Sequence, residues 1–237
     1  MQKGVILSRT DFGINSFCSN VAVVDDRGIY HQKRLMNEGG NFFQYNSFPN
    51  YSKKEIKGKW VPRRIIKFQP INHQVKIKRR STHPEDYIIN PRSLFLSSKF
   101  KKQQVFSDII DHFTFSDLES LYPGVIVSRS SYVLGNRQLE QSVGYINCKK
   151  VVISSDDFSE KSNFVFNAII TDMKDVTFFA KLKDLVLLEK IKRFGFKKYQ
   201  FFNDVRVRLA LAGPWNGNDD NLFSVARCYV MCSQILI

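Results

Sequence analysis

The sequence predicts an all-β protein with minor helices, built as two small β-barrels in tandem joined by a helical segment. Three observations carry that expectation. Runs of β-branched and aromatic residues, each of strand length, recur on both sides of a central stretch with helical spacing. Clusters of Gly, Asn, Asp and Pro punctuate those runs. A chain of 237 residues, 43% hydrophobic and with 21 Phe, has enough apolar material for two packed cores. The expected division is a first barrel with a long basic loop over 1–100, a helical joint over 101–124 and a second barrel over 125–237.

In the first half, "KGVILSR" is a short apolar strand, and "FCSNVAVVDDRGIYHQ" reads as two strands joined by the turn "DDRG". The stretch "MNEGGNFFQYNSFPNYSKKEIKGKW", rich in Gly, Asn and Ser, reads as a long loop or insertion. In "QVKIKRR" alternation turns Val75 and Ile77 inward and Lys76, Lys78 and Arg80 outward. The middle changes period: Val105, Ile109, Ile110 and Phe113 share a helical face, Ser116 caps a second helical turn with Glu119 three residues later, and Pro123 and Gly124 end it.

The second half returns to strands in "YINCKKVVIS", "NFVFNAIIT", "TFFAKLKDL", "VRVRLAL" and "RCYVMCSQILI". A helix is expected at "LVLLEKIKRFGFKKY", where Leu187, Ile191 and Phe194 share a face. Five strands with one short helix suit a small barrel of OB type, a fold whose open face commonly binds oligonucleotides. In "VRVRLAL" the two faces differ in chemistry. Val205, Val207, Leu209 and Leu211 point one way, and Arg206, Arg208 and Ala210 the other.

The chain carries 36 Lys and Arg against 22 Asp and Glu, a formal charge of +14. The window 53–80 holds eleven basic residues against Glu55 alone, and the window 181–208 holds nine against Asp184, Glu189 and Asp204. Those windows net +10 and +6, more than the whole excess, so the charge is clustered and a polyanionic partner is expected. No segment approaches the roughly 20 consecutive apolar residues of a membrane span, and the first residues lack a signal-peptide pattern, so a cytoplasmic protein with no membrane partner is expected. Cys18, Cys148, Cys228 and Cys232 form no C-x-x-C pair and read as small core residues rather than zinc ligands, so no metal and no cofactor are expected.

Three stretches, taken in order, resemble the landmarks of the dual OB-fold domain proteins of bacteria and their mobile elements. The first is a strand ending in Ser8–Arg9, a small-residue turn at Gly13, a strand with Cys18 and an acidic turn at Gly28. The second is a Gln-Pro-Glu-Asn box, matched by Gln69, Pro70 and Asn72, followed by a His-x-Glu-Asp box at His83, Glu85 and Asp86. The third is a strand running into Leu-x-Leu-Ala-Arg-Pro, matched by Leu209, Leu211, Ala212 and Pro214. Ile71 stands where the family has Glu and Gly213 where it has Arg. The resemblance implies two OB-like β-barrels in tandem and an association with nucleic-acid-linked conflict systems, including phage defence.

Each site-like string has two readings. In "STHPEDYII", Thr82 and Glu85 satisfy a capping box with Pro84 in the first turn, whereas His83, Glu85 and Asp86 are also the catalytic or metal-ligand candidates, with Asp11, Asp25 and Asp26 as further acids. In "KGKWVPRRIIKFQP", Lys57, Lys59, Arg63, Arg64 and Lys67 suit phosphates, and Trp60 is either a stacking platform or core. "RFGFKKYQFF" packs most of its aromatics and leaves Lys197, Lys198 and Tyr199 at the surface, and "SRSSYVLGNRQ" adds Arg129, Tyr132 and Arg137. Phosphate-loop, dinucleotide and nucleophile-elbow motifs are absent from the sequence.

The function expected is therefore binding of nucleic acid, single-stranded DNA or RNA, by electrostatic capture and base stacking. The binding set is Arg9, Lys57, Lys59, Trp60, Arg63, Arg64, Lys67, Lys76, Lys78, Arg80, Arg129, Arg137, Lys197, Lys198, Arg206 and Arg208. A protein-binding adaptor or inhibitor is the first alternative, and an enzyme acting on nucleotides or nucleic acid the second.

Overall fold

The computed structural model describes residues 1–12, 15–71, 83–99, 103–156, 165–216 and 225–236. The chain divides into two compact units, Met1–Arg79 with Glu85–Phe113, and Arg80–Pro84 with Thr114–Ile237. Strands dominate, as the sequence predicts, with one closed five-strand barrel and a second sheet. Among the described residues, no helix is long and apolar enough to cross a membrane.

The first unit begins with β1 (Gln2–Phe12), β2 (Ser16–Val24) and β3 (Tyr30–Met36), each antiparallel to the one before. The β2–β3 turn is held by Asp25, whose Oδ1 accepts from the amides of Arg27 and Ile29, both at 2.9 Å, while Gly28 takes the left-handed position at φ 80°. There follow β4 (Phe43–Gln44), α1 (Lys53–Lys59), β5 (Arg64–Phe68), β6 (Asp86–Ile88), β7 (Phe95–Lys99) and α2 (Gln103–His112). The sheet order is β6-β3-β2-β1-β5-β7, with β4 on β2. A 3-10 turn at Pro91–Ser93, N-capped by Asn90, lies between β6 and β7. Consecutive pieces of one segment thus serve opposite ends of the sheet, β6 parallel to β3 and β7 antiparallel to β5.

Helix α1 lies inside the stretch whose Gly, Asn and Ser content predicts a loop or insertion. Its start is a full capping box: Ser52 Oγ accepts from the Glu55 amide at 3.2 Å, and Glu55 Oε2 accepts from the Ser52 amide at 2.9 Å. Ile56 and Trp60 pin the helix to the core. Trp60 is 0% exposed, its ring centroid lies 5.1 Å from Phe17 and 5.3 Å from Phe48, and its Nε1 donates to Ser19 Oγ at 2.6 Å.

The second unit opens with β8 (Thr114–Phe115), α3 (Leu118–Leu121) and β9 (Tyr132–Leu134). Asp117, not Ser116, is the N-cap of α3, its Oδ1 accepting from the Ser120 amide at 2.9 Å. Ser116 instead donates to the Asp117 carboxylate, because a carboxylate accepts several donors where a hydroxyl accepts few. Thus α2 falls in the first unit and α3 in the second, so the expected joint over 101–124 is divided between them.

All five expected strands then form: β10 (Val143–Asp156), β11 (Val165–Asp172), β12 (Thr177–Leu182), β13 (Phe201–Leu211) and β14 (Arg227–Leu236), with α4 (Leu185–Phe194) between β12 and β13. Strands β10, β11 and β12 form an antiparallel meander. β12 runs parallel to β14, β14 antiparallel to β13, and β13 antiparallel to β10, which closes the ring. The core contains Ile146, Val151, Ile170, Phe178, Val207 and Leu209, with Cys148, Cys228 and Cys232 among them. Burial pushes the Cys148 thiol up to about 12 and raises that of Cys232 as well. No disulfide joins any of the four cysteines, and among the described residues no cluster of three or more His, Cys, Asp or Glu could hold a metal.

Trp60→Ala is expected to cost about 3–5 kcal/mol of stability, the usual loss for a buried aromatic side chain. Trp60→Phe should cost less, since it keeps most of the packing and loses the bond to Ser19. Urea unfolding measures both.

Burial alone would raise the Asp117 carboxyl. Hydrogen bonds from Ser116, Lys174 and Ser120 prevail and hold it well below its ordinary 3.8. The folded carboxylate takes up its proton less readily than the unfolded one, so this contribution to stability is present above about pH 4 and lost as pH falls. Asp117→Asn is expected to lower stability at neutral pH and to flatten the acid limb of a stability–pH profile.

Candidate functional site

The basic window of the first unit is laid out by α1. With Ile56 inward, Lys53, Lys54, Lys57 and Lys59 are all exposed, and Lys57 and Lys59 occupy the last turn, where the helix dipole favours cations. Lys59 pairs with Glu55 at 3.2 Å, and Lys53 Nζ donates to Asn15 at 3.0 Å. The ammonium groups of Lys53 and Lys57 lie 5.5 and 5.3 Å from the Tyr45 ring centroid. Following the helix, Arg63 is held at φ 69° with its guanidinium 5.7 Å from the Phe106 ring, Arg64 donates to the Ser97 carbonyl at 3.2 Å, and Lys67 sits across the ladder from Lys3. Lys76, Lys78 and Arg80 lie outside the described residues, as does Thr82.

Two residues expected at the surface serve the interior of this unit. Trp60 is core, which rules out base stacking on its ring. Arg9 has a side chain 15% exposed; it donates to the carbonyls of Lys57 and Trp60 at 2.8 and 3.3 Å and lies 3.1 Å from Asp11. Its guanidinium therefore closes the carbonyl end of α1, a bond that the helix itself leaves unmade.

In the second unit Lys181, Lys190, Lys192, Arg193 and Lys197 are exposed on β12, α4 and the 3-10 turn Phe196–Tyr199, which also contains Lys198. Arg129 and Arg137 are exposed. Arg206 is half-buried and donates from Nε to Asn147 at 3.1 Å, whereas Arg208 is only 3% exposed, so it is not the solvated strand charge that alternation predicts. Tyr199 is half-buried against the core, and it is Phe194 and Phe201 that stand out, each beside a cation: Arg193 at 5.1 Å and Lys150 at 5.9 Å from the ring centroids.

A further aromatic group forms around Tyr132, with partners that the sequence does not single out. The pairing of β9 with β14 sets Tyr132 opposite Tyr229, and an isolated bridge sets Trp215 opposite Arg227. Trp215 and Tyr132 each lie 5.8 Å from Tyr229, and the Arg227 guanidinium lies 4.5 Å from the Tyr132 centroid. Trp215 is 42% exposed. The result is a graded set of ring faces and one guanidinium, the chemistry on which bases stack. Spacing along the chain gives no sign of it, because the register of two distant strands creates it.

The His-x-Glu-Asp string takes structural partners. Asp86 and Arg34 form an ion pair in which both side chains are less than a tenth exposed, and Glu85 is buried with its backbone carbonyl accepting from the Arg34 amide at 2.9 Å. His83 is buried with a ring nitrogen 3.3 Å from the Leu211 carbonyl. Pro84 and Glu85 form a turn that enters β6 directly, so no helix follows the capping-box pattern. Of the other acids, Asp25 pairs with His31 at 2.9 Å, and Asp11 accepts from the Tyr45 hydroxyl at 2.7 Å.

No protein-family model matches the chain, and no curated protein matches it.

Asp86→Ala is expected to destabilise the protein by about 3–5 kcal/mol, because it leaves the Arg34 guanidinium buried beside an empty position. An Arg34→Met, Asp86→Leu double substitution should recover much of that loss in urea unfolding.

Proposed function

We propose that the protein binds nucleic acid, single strands in preference to duplex, by capture of the phosphate backbone on exposed lysines and stacking of bases on exposed rings. The observation that carries this reading is the cluster of Trp215, Tyr229, Tyr132 and Arg227, a half-exposed aromatic ladder ending in a guanidinium. The cations of α1 and α4 support it, since α1 alone exposes four lysines against one acid.

We propose further that both units are OB-like barrels, in line with the dual OB-fold resemblance. Support comes from the ring order of β10 to β14, with α4 between its third and fourth strands. Counting 86–99 as one interrupted strand puts the first sheet in the same order, with α1 in the place of α4. In such barrels the connection between the fourth and fifth strands is a ligand-binding loop. Here the chain between β5 and β6 carries Lys76, Lys78 and Arg80, and that between β13 and β14 carries Trp215. The resemblance adds a setting, the conflict systems of bacteria and phage, and with it a cytoplasmic site of action.

The test is binding of nuclease-treated protein to labelled single-stranded DNA, single-stranded RNA and duplex across a salt series. Binding should weaken steeply with salt, by a log–log slope close to the number of phosphates contacted. Trp215→Ala should weaken single-strand binding by about 1–3 kcal/mol with the fold intact. A shallow salt dependence, or no binding at low salt, overturns the proposal and turns the search to a protein partner for the same aromatic and arginine surface.

A further inference from the structure

Among the described residues, no carboxylate neutralises Arg208. Its neighbours on β13, Val207 and Leu209, belong to the barrel core, so its side chain leaves the strand on the outer side, yet it is 3% exposed. Of its five N–H donors, Nη1 bonds Ser233 Oγ at 2.7 Å, a hydroxyl itself turned to donate to the Arg208 carbonyl, and the Tyr145 hydroxyl is a second hydrogen-bonding neighbour. Nε of Arg208 has no hydrogen-bond partner among the described residues, and no carboxylate among them pairs with the guanidinium. A buried guanidinium in that condition is costly, and arginines so placed normally meet an anion.

The strand register sets further polar groups beside it. Tyr145 stands opposite Arg208 on β10 and is 0% exposed, and the Arg208 side chain is the hydrogen-bonding neighbour of its hydroxyl oxygen. The Arg208 guanidinium lies 6.0 Å from its ring centroid. Burial pushes the tyrosine up to about 12 against the pull of Arg208 and Arg206, so the hydroxyl stays protonated and able to donate. Gln234 stands opposite Arg208 on β14, with its amide oxygen buried and unpartnered. Arg206, two residues along the same face and half-exposed, marks the open side of the group. Two guanidinium groups, a phenol and an amide thus occupy neighbouring register positions on the outer face of β10, β13 and β14.

We propose that this group is a phosphate-binding site, in which Arg208 and Tyr145 donate to the oxyanion and Arg206 receives it at the rim. The planar fork of Arg matches two phosphate oxygens at once, and a buried donor set favours a tetrahedral oxyanion over chloride. The choice of phosphate over another oxyanion rests on the reading of the protein as a binder of nucleic acid. The phosphate belongs to a free nucleotide or to a strand's backbone.

The experiment records thermal unfolding and the arginine Nε–H NMR signals of the full chain at constant ionic strength, on addition of inorganic phosphate, thymidine monophosphate or a ten-residue oligothymidylate. The expected result is a concentration-dependent rise in Tm with phosphate and not with chloride, a shift of the Arg208 signal, and loss of both in Arg208→Met. A response to the mononucleotide equal to that of the oligomer assigns the site to free nucleotides, and a stronger response to the oligomer assigns it to the backbone. Either supports the site. Should Arg208→Met fail to fold, Arg206→Ala and the wild-type Arg208 signal decide. An unmoved signal and Tm with all three probes overturn the inference, as does undiminished phosphate binding by Arg208→Met. Strand capture by the exposed lysines is read separately, from the salt series with Arg208→Met, so either proposal can fail while the other stands.

Discussion

The second unit turns on one buried carboxylate. Asp184 ends the turn after β12 and caps α4, with Oδ1 accepting from the Leu187 amide at 3.0 Å, while Oδ2 accepts from the Ile235 amide of β14 at 2.8 Å. Helix start and closing strand are therefore held by the two oxygens of the same side chain. Burial pushes its carboxyl up, and the amides of Leu187, Ile235 and Val186 pull it back. With α4 fixed at that end, Leu187 and Ile191 go to the core and Lys190, Lys192 and Arg193 go to water. The basic surface of the unit follows from how its barrel is tied.

The first unit solves the matching problem at the other end of its helix. The Ser52–Glu55 box starts α1, and Arg9, reaching from β1, takes the carbonyls at its end. The contrast between the two kinds of basic residue is chemical. Arginines such as Arg9 and Arg34, with planar forks and weak hydration, hold carbonyls and carboxylates inside the fold. Lysines, compact and strongly hydrated, stay outside. A net charge of +14 therefore overstates the number of cations that face water.

The strands of the second unit were legible in the sequence because each is a separate β-branched or aromatic run bounded by turn residues. Helix α4 was legible from Leu187 and Ile191. Helix α1 was hidden by its setting, since seven residues in a stretch of Gly, Asn and Ser give little period to read, although the Ser52–Glu55 box was there to be found. Composition leaves Trp60 undecided between surface and core, and alternation misplaces Arg208. Neither a tryptophan among lysines nor an arginine on an alternating strand is placed until tertiary packing decides. The Trp215 ladder and the grouping around Arg208 are products of register between strands far apart in the chain, and local pattern carries no information about register.

The closing ladder of the second unit bears on synthesis. β12 pairs with β14 through Lys181 to Met231 and Leu182 to Cys232, partners fifty positions apart. Since chains emerge from the ribosome in order, the first sheet has all its strands once Lys99 has been made, whereas the ring of β10 to β14 waits for Arg227–Leu236. Until then β12 and β13 each carry an unpaired edge, and strongly apolar runs such as "NAII" stand partly uncovered. The edges of the second barrel thus stay open longer during synthesis than those of the first sheet.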